Sequence, residues 1–238
     1  MPAPGSVAAL VLAAGRGERL GHSLPKAFVP IAGRTLIEYS IRALSASGVI
    51  DWIVPVLAAG DMTRWKALGL ESTPGLMEPV EGGAERQDSV QAGLDALPAE
   101  IEFVAVHDAA RCLVVAEDVR AVVSAARQTG AAILGERVRD TIKRVVEGLI
   151  VETPARDECW AAQTPQVIRR IWLVEAIAAA SREGRLGTDD AQLIEWMGQP
   201  VQMVEARFPN LKITRPEDLV LAESLLEQAA GTTERVRE

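Results

Sequence analysis

Val7-Ala8-Ala9-Leu10-Val11-Leu12-Ala13, running without a break into Ala14-Gly15-Arg16-Gly17-Glu18-Arg19 and on to Pro25-Lys26, is the stretch on which the fold turns. Its apolar half carries no polar residue to mark an outward face. It therefore reads as a strand buried on both sides, as in a parallel sheet covered by helices. The small residues that follow leave backbone N–H groups unobstructed, which suits a phosphate chain laid across a strand end. Glycines fall at 15, 17 and 21, one place late for the G-x-G-x-x-G of a dinucleotide fold. No Walker A sequence occurs either. What sets this turn apart is a pair of cations, Arg19 and Lys26, one on each arm. A Gly pair alone would be an ordinary tight turn; with the cations it points to phosphate binding. The apolar run also invites reading as a secretion signal, but no Lys or Arg precedes it and it is too short to span a bilayer. A buried strand in a cytoplasmic protein is the expectation.

Outward from this strand, helix-like and strand-like stretches alternate. A helix is predicted over Thr35–Ser47, with Leu36, Tyr39, Ile41 and Leu44 largely on one face. Ile50–Leu57 reads as a strand in which Pro55 marks an edge or a bulge. Helix follows at Glu85–Leu97, strand at Ile101–Val106 ending in His107-Asp108, helix at Ala116–Gln128 and a short strand at Ala131–Leu134. This rhythm predicts a mostly parallel sheet with helices on both faces. Thr141–Val146 and Leu149–Thr153, joined through Glu147-Gly148, read as a β-hairpin. Further helices are predicted at Ile168–Arg182, Asp189–Met197 and Pro216–Gln228, the last opening on the capping-box spacing Thr214-Arg215-Pro216-Glu217. Thr188 and Thr214 read as N-caps, and the tail from Gly231 as frayed. One domain spanning 1–238, with an arm at about 138–158, is the economical organisation.

The 238 residues carry 25 Lys+Arg against 33 Asp+Glu, a net charge of −8. An acidic chain is a poor general binder of nucleic acid, so any phosphate it handles must be held by a few local cations. With 48% apolar and 24% charged residues it has an ordinary globular composition. Cys112 and Cys159 lie in no CxxC or metal-ligand spacing, which fits a reducing compartment.

Other constellations could carry chemistry. Gly82-Gly83-Ala84-Glu85-Arg86-Gln87-Asp88-Ser89 places two glycines before a helix start, where free N–H groups and a hydroxyl could face a base or ribose. His107-Asp108-Ala109-Ala110-Arg111 closes a central strand, where ligands gather in open α/β sheets. Asp108 there is a candidate Mg²⁺ ligand, since hard cations take carboxylate and phosphate oxygens together. His107 reads as a structural ring, because no paired carboxylate spacing supports it as a base. Asp-x-Asp, Gly-x-Ser-x-Gly and His-Glu-x-x-His are all missing from the sequence, which argues against metal-dependent sugar transferases, serine hydrolases and zinc proteases. Histidine is scarce, but a phosphate monoester, with a second pKa of about 6, attacks phosphorus without a general base. Such a reaction needs cations and alignment more than proton shuttles.

Ala13-Ala14-Gly15-x-Gly17-x-Arg19, Pro25-Lys26, Gly82-Gly83-x-x-Arg86-x-x-Ser89, His107-Asp108-Ala109-Ala110-Arg111, Arg139-Asp140-Thr141, Thr164-Pro165-Gln166, Thr188-Asp189 and Lys212-Ile213-Thr214 occur in this order, from about Val7 to Leu226. Together they resemble the 2-C-methyl-D-erythritol 4-phosphate cytidylyltransferases of the non-mevalonate isoprenoid pathway. The resemblance implies a Rossmann-like nucleotidyltransferase fold with a protruding β-hairpin arm. It also implies an enzyme that joins CTP and methylerythritol phosphate with Mg²⁺, releasing pyrophosphate. Arg19 and Lys26 match the family's cations for transition-state charge. Lys212 and Arg156 match residues that position the second substrate, Arg156 reaching a neighbouring subunit. Ala13, Ala14, Gly15, Gly83, Ser89 and Asp108 fall at CTP positions, with Asp108 also at the metal. Arg111, Thr141 and Thr164 match the second-substrate pocket, and the arm would make a homodimer. Ala27, Ala84 and Cys112 depart from the Gln, polar residue and Pro frequent in the family.

Ribitol-5-phosphate cytidylyltransferases resemble this family closely and use the same chemistry. From another class, a catalytically silent nucleotide-binding regulatory protein on the same fold is the remaining alternative.

Overall fold

Strand β1 (Val7–Ala13) lies inside a seven-stranded sheet because both of its faces find helices. The protein is described here by a computed structural model covering residues 5–15 and 17–235. After β1 come a small antiparallel pair, β2 (Pro30–Ile31) and β3 (Arg34–Thr35), then helix α1 (Leu36–Ala46) and strand β4 (Trp52–Leu57). A short helix α2 (Met62–Lys66), strand β5 (Val80–Glu81), helix α3 (Arg86–Ala96) and strand β6 (Phe103–Asp108) follow. Helix α4 (Ala116–Thr129) leads to β7 (Ala131–Arg137), the hairpin β8 (Arg144–Val146) and β9 (Leu149–Glu152), and the long β10 (Trp160–Arg169). The chain ends in α5 (Arg170–Arg182), α6 (Asp190–Trp196), β11 (Gln202–Glu205) and α7 (Pro216–Arg235).

The sheet runs β11-β7-β10-β6-β1-β4-β5, parallel throughout except for β10, which is antiparallel to both neighbours. From β1 the chain builds β4 and β5 on one side, then crosses back to lay β6 on the other. The carboxyl ends of β1 and β6 therefore open a crevice at a topological switch point.

Alternation along β1 sorts the core. Val7, Ala9, Val11 and Ala13 pack with Ile37, Ile41 and Leu44 of α1 and Val119, Val122 and Ala126 of α4. Ala8 and Leu10 face Val90 and Leu94 of α3, Leu173 and Ile177 of α5, and Leu193 and Ile194 of α6. Hiding each such Leu, Ile or Val contributes about 1.5–3 kcal/mol, so the two helical layers hold the strand end rigidly. A third cluster, including Leu20, Val29, Cys112, Leu113, Ile213 and Ala222, binds α7 to the loops at the crevice.

Local signals are satisfied with some exchanges of partner. Glu38 accepts from both the N–H and the hydroxyl of Thr35, opening α1. At α7 it is Asp218, not Glu217, that accepts from Thr214 and Arg215, and the helix continues past Gly231 to Arg235. Asp189, not Thr188, caps α6 by accepting the Gln192 N–H. Pro55 falls opposite the gap between the Ile53–Leu76 bridge and β5, so its missing N–H breaks no regular ladder. The hairpin turns on Glu147 and Gly148, both at positive φ (49° and 81°), as a two-residue turn joining right-twisted strands requires.

The largest departure from expectation is β10. Residues 160–167 carry no predicted element, because Gln163, Thr164, Pro165 and Gln166 interrupt the apolar residues there, yet Trp160–Arg169 occupies an inner position between β6 and β7. A register shift between Ala162 and Gln166 takes the proline out of the ladder, and the buried side chains of Thr164 and Gln166 find partners of their own. Ile168, expected to begin a helix, instead pairs with Val104 and Ala131, and α5 starts at Arg170. β7 runs on to Arg137, and β11 adds an edge strand that the sequence did not announce.

Candidate active site

At the switch point lies a cleft of about 220 Å³. Ala13, Ala14 and Gly15 form one wall as the chain leaves β1; Gly83 to Arg86 and Ser89 form another at the start of α3. Asp108 and Ala109, at the end of β6, make the floor, and Lys26 and Lys212 reach in from the loops. β1 and β6 are locked together where they end, the Ala109 N–H donating to the Leu12 carbonyl at 3.0 Å. At Gly17 the backbone has φ +65°, and a Cβ there would lie 2.5 Å from Lys26 Cβ. Only glycine lets the turn fold back so closely on that lysine.

Charge in the cleft is arranged around one carboxylate. Lys212 Nζ donates to Asp108 Oδ2 at 2.6 Å, and Arg86 Nε stands 3.7 Å from Oδ1. Burial alone would push the Asp108 carboxyl up, but Arg86 and Lys212 outweigh it and hold it down at about 2. Arg86 also donates to Asp190 Oδ2 at 2.7 Å. Burial pushes the Asp190 carboxyl up, with Arg86 pulling against it. The Lys26 ammonium is lowered from its usual value by burial first and by Lys212 next, with Asp108 opposing. The cleft thus gathers Lys26, Arg86 and Lys212 around Asp108, with Asp190 buried behind Arg86: three cations against two buried carboxylates, a surplus of positive charge within a net acidic protein. Phosphates entering it would meet that surplus in a partly desolvated setting, where each cation counts for more than in water.

Of the residues marked in the sequence, Ala13, Ala14, Gly15, Lys26, Gly83, Ser89, Asp108 and Lys212 all line this cleft. Arg19 is exposed beside it and does not line it, although its charge bears on Lys26. Thr164 lies buried behind the floor: its hydroxyl accepts the Asp108 N–H at 3.0 Å and lies 3.1 Å from His107 Nδ1. Arg111 spends its fork on backbone, Nη1 on the Asn210 carbonyl and Nη2 on the Ala162 carbonyl. Thr141 and Arg156 are exposed on the arm, Arg156 donating to the Arg139 carbonyl at 3.3 Å, and neither lines the cleft of its own chain. His107 is fully buried, and burial lowers its ring to about 4, so it stays neutral near pH 7.

Arg86, Asp190 and Asn210 were not singled out as site residues. Arg86 stands inside a noted motif, but its role depends on Asp108 and Asp190, which reach it only through the fold. Among the described residues no three His, Cys, Asp or Glu side chains converge as a metal cluster. Asp108, whose oxygens face Lys212 and Arg86, is the carboxylate at the cleft floor that could hold a divalent cation, one that takes most of its shell from phosphate and water oxygens as Mg²⁺ does.

The family model described as IspD, 2-C-methyl-D-erythritol 4-phosphate cytidylyltransferase, matches residues 7–228. The enzyme of that name from Symbiobacterium thermophilum is 43% identical over 225 residues, covering 94% of each chain. Among solved structures, the 4-diphosphocytidyl-2C-methyl-D-erythritol synthase of Anaerococcus prevotii superposes with a TM-score of 0.84 at 27% identity, covering 94% of this chain and 99% of that one. The Thermus thermophilus 2-C-methyl-D-erythritol 4-phosphate cytidylyltransferase gives 0.75 at 36%, covering 92% and 98%. On this match of sequence and fold along nearly its whole length, the chain belongs to the 2-C-methyl-D-erythritol 4-phosphate cytidylyltransferase family.

Proposed function

We propose that the protein joins CTP and 2-C-methyl-D-erythritol 4-phosphate into CDP-methylerythritol and releases pyrophosphate. The observation that carries this reading is the convergence of Lys26, Arg86 and Lys212 on a cleft walled by the open backbone of Ala13–Gly15 and Gly83. An oxygen of the methylerythritol phosphate attacks the α-phosphorus of CTP in line. The new P–O bond forms as the bond to the β-phosphate oxygen breaks, and the electron pair leaves with pyrophosphate. The attacking phosphate is mostly ionised at neutral pH, so no side chain has to take a proton. The buried, neutral His107 is accordingly not needed as a base.

Ala13, Ala14, Gly15, Gly83 and Ser89 hold CTP, largely through backbone groups and one hydroxyl. Lys26 and Arg19 stabilise charge growing on the α-phosphoryl oxygens, and Lys212 aligns the incoming phosphate. Asp108 would hold Mg²⁺, whose charge would offset negative charge on the nucleotide. Thr164 and Arg111 frame the second-substrate side from behind. The arm, with Val145, Val146, Leu149, Ile150 and Val151 exposed, is the dimer contact. It carries Thr141 and Arg156 to a neighbouring copy's cleft, which accounts for their distance from their own. The chain acts as a single domain and works in the cytoplasm, consistent with two free cysteines. Among the described residues no helix is long and apolar enough to cross a membrane.

The test is pyrophosphate release with CTP and Mg²⁺, run in parallel with methylerythritol phosphate and ribitol 5-phosphate. Release with the first substrate supports the assignment. Preference for ribitol phosphate would move the protein to another pathway, and silence with both from protein that binds CTP would favour a regulatory role.

A further inference from the structure

Lys212 sits where neither helix nor strand holds the chain, in the irregular stretch 209–214 between β11 and α7. It is nevertheless pinned from both sides. Ile213 is fully buried and its N–H donates to the Ala110 carbonyl at 2.8 Å. On the other side Asn210, 1% exposed, donates from Nδ2 to the Thr164 carbonyl at 2.8 Å. Its own carbonyl accepts from Arg111 Nη1 at 2.8 Å. Thr164 has groups to spare because the ladder breaks there. β10 pairs with β7 at Ala162 and again at Gln166, its pairing with β6 begins only at Gln166, and the bulge between re-aims Thr164. The hydroxyl of Thr164 takes the Asp108 N–H while its carbonyl takes the Asn210 side chain. Both members of the Lys212–Asp108 pair are thus indexed to one residue of β10.

We propose that Asn210 is a positioning residue for the transfer reaction, setting Lys212 against Asp108 by tying the 209–214 stretch to the bulge at Thr164; this rests on the role given to Lys212 above. Asn210 does not line the cleft, so it acts through Lys212 and not on substrate. Losing its amide leaves the buried Thr164 carbonyl without that donor and removes the tie between the 209–214 stretch and Thr164, leaving the bonds from Ile213 and Arg111 to hold the lysine's backbone. A displacement of about 1 Å at such a group can cost roughly 10²-fold in rate.

A double-mutant cycle tests this, using Asn210→Ala, Lys212→Ala and the pair, with pyrophosphate release and melting temperature measured on each. Asn210→Ala is expected to lower kcat by about 10²-fold in the wild-type background. In the Lys212→Ala background it should lower kcat by less than about twofold, because its target is gone. KM for CTP should stay within about twofold, since Asn210 bonds to none of the backbone offered to the nucleotide. An equal loss in both backgrounds would make Asn210 a merely structural residue and overturn the proposal, as would full activity of Asn210→Ala. Full activity of Lys212→Ala would instead remove Lys212 from the reaction, and the functional reading would fall with the proposal. If Asn210→Ala melts below the assay temperature, Asn210→Ser takes its place in the same cycle.

Discussion

Lys212 Nζ and Asp108 Oδ2 meet at 2.6 Å although 104 positions separate the two residues in the chain. The pair closes the floor of the cleft with a cation drawn from an irregular loop and an anion fixed at a strand end. Because Arg86 faces the same carboxylate, losing Asp108 leaves two cations without their shared anion. Asp108→Asn should therefore raise the Mg²⁺ concentration needed for half-maximal rate. An unchanged Mg²⁺ titration would remove Asp108 from the proposed metal site.

The same carboxylate ties stability to pH. Its folded value of about 2 lies below the ordinary aspartate value of 3.8, so the native state binds its proton less readily than the unfolded chain. Its contribution, about 2 kcal/mol by linkage, is fully present above pH 4 and disappears as pH falls through 2. Comparing urea unfolding of wild type and Asp108→Asn should show a gap that is constant from pH 5 to 7 and narrows below about pH 4.

Lys26→Ala is expected to lose about 10²–10³ in kcat while its melting temperature changes little, since the lost group is a preorganised donor and not a core contact. Its lowered ammonium adds a pH signature: activity should fall on the alkaline side as the lysine deprotonates, earlier than a free lysine would. Lys26→Arg should remove that limb from the pH–rate profile. Retention of the limb would assign it to another group.

His107→Asn should leave the pH–rate profile between pH 5 and 8 superimposable on that of the wild type. The ring is neutral across this range and lies behind the floor. Thermal or urea melting should register a cost of about 1–3 kcal/mol, because a buried polar contact with Thr164 is lost.

On the arm, Leu149 and Ile150 are 72% and 64% exposed. On the proposed dimer contact, Leu149→Lys with Ile150→Glu should yield a monomer by light scattering and, because Thr141 and Arg156 would no longer reach a neighbouring copy, a loss of turnover with methylerythritol phosphate. A dimer of unchanged mass would separate the arm from assembly.

Much of the cleft was legible in the sequence because its parts sit next to strong local signals. Ala13–Gly15 follow an unbroken apolar strand, Asp108 ends another, and Gly83 precedes a helix start. Each can be placed on the carboxyl rim from its own neighbourhood. β10 was not legible, since Thr164 and Gln166 look like loop residues until their partners, Asn210 and Asp108 for the first and Asp189 for the second, are brought beside them. For the same reason Arg86, Asp190 and Asn210 drew no attention alone: their meaning lies in pairs made across the fold. Thr188 shows the opposite error, a good capping residue outcompeted by the adjacent Asp189.

β10 begins at Trp160, two residues beyond the short helical turn that ends the arm, and passes within a few positions to the bulge at Thr164. The element that would grip another copy and the element that indexes the floor of the cleft are one continuous length of backbone. At its base this strand is braced by Arg137, whose guanidinium stacks 4.4 Å over the Trp160 ring. Strain applied at the hairpin has two covalent routes inward, back along β7 from Arg137 and forward along β10 from Trp160, and the second reaches the residue that holds Asp108 and Asn210. The arm and the floor of the cleft are thus two ends of one strand, joined through Trp160 and the bulge at Thr164.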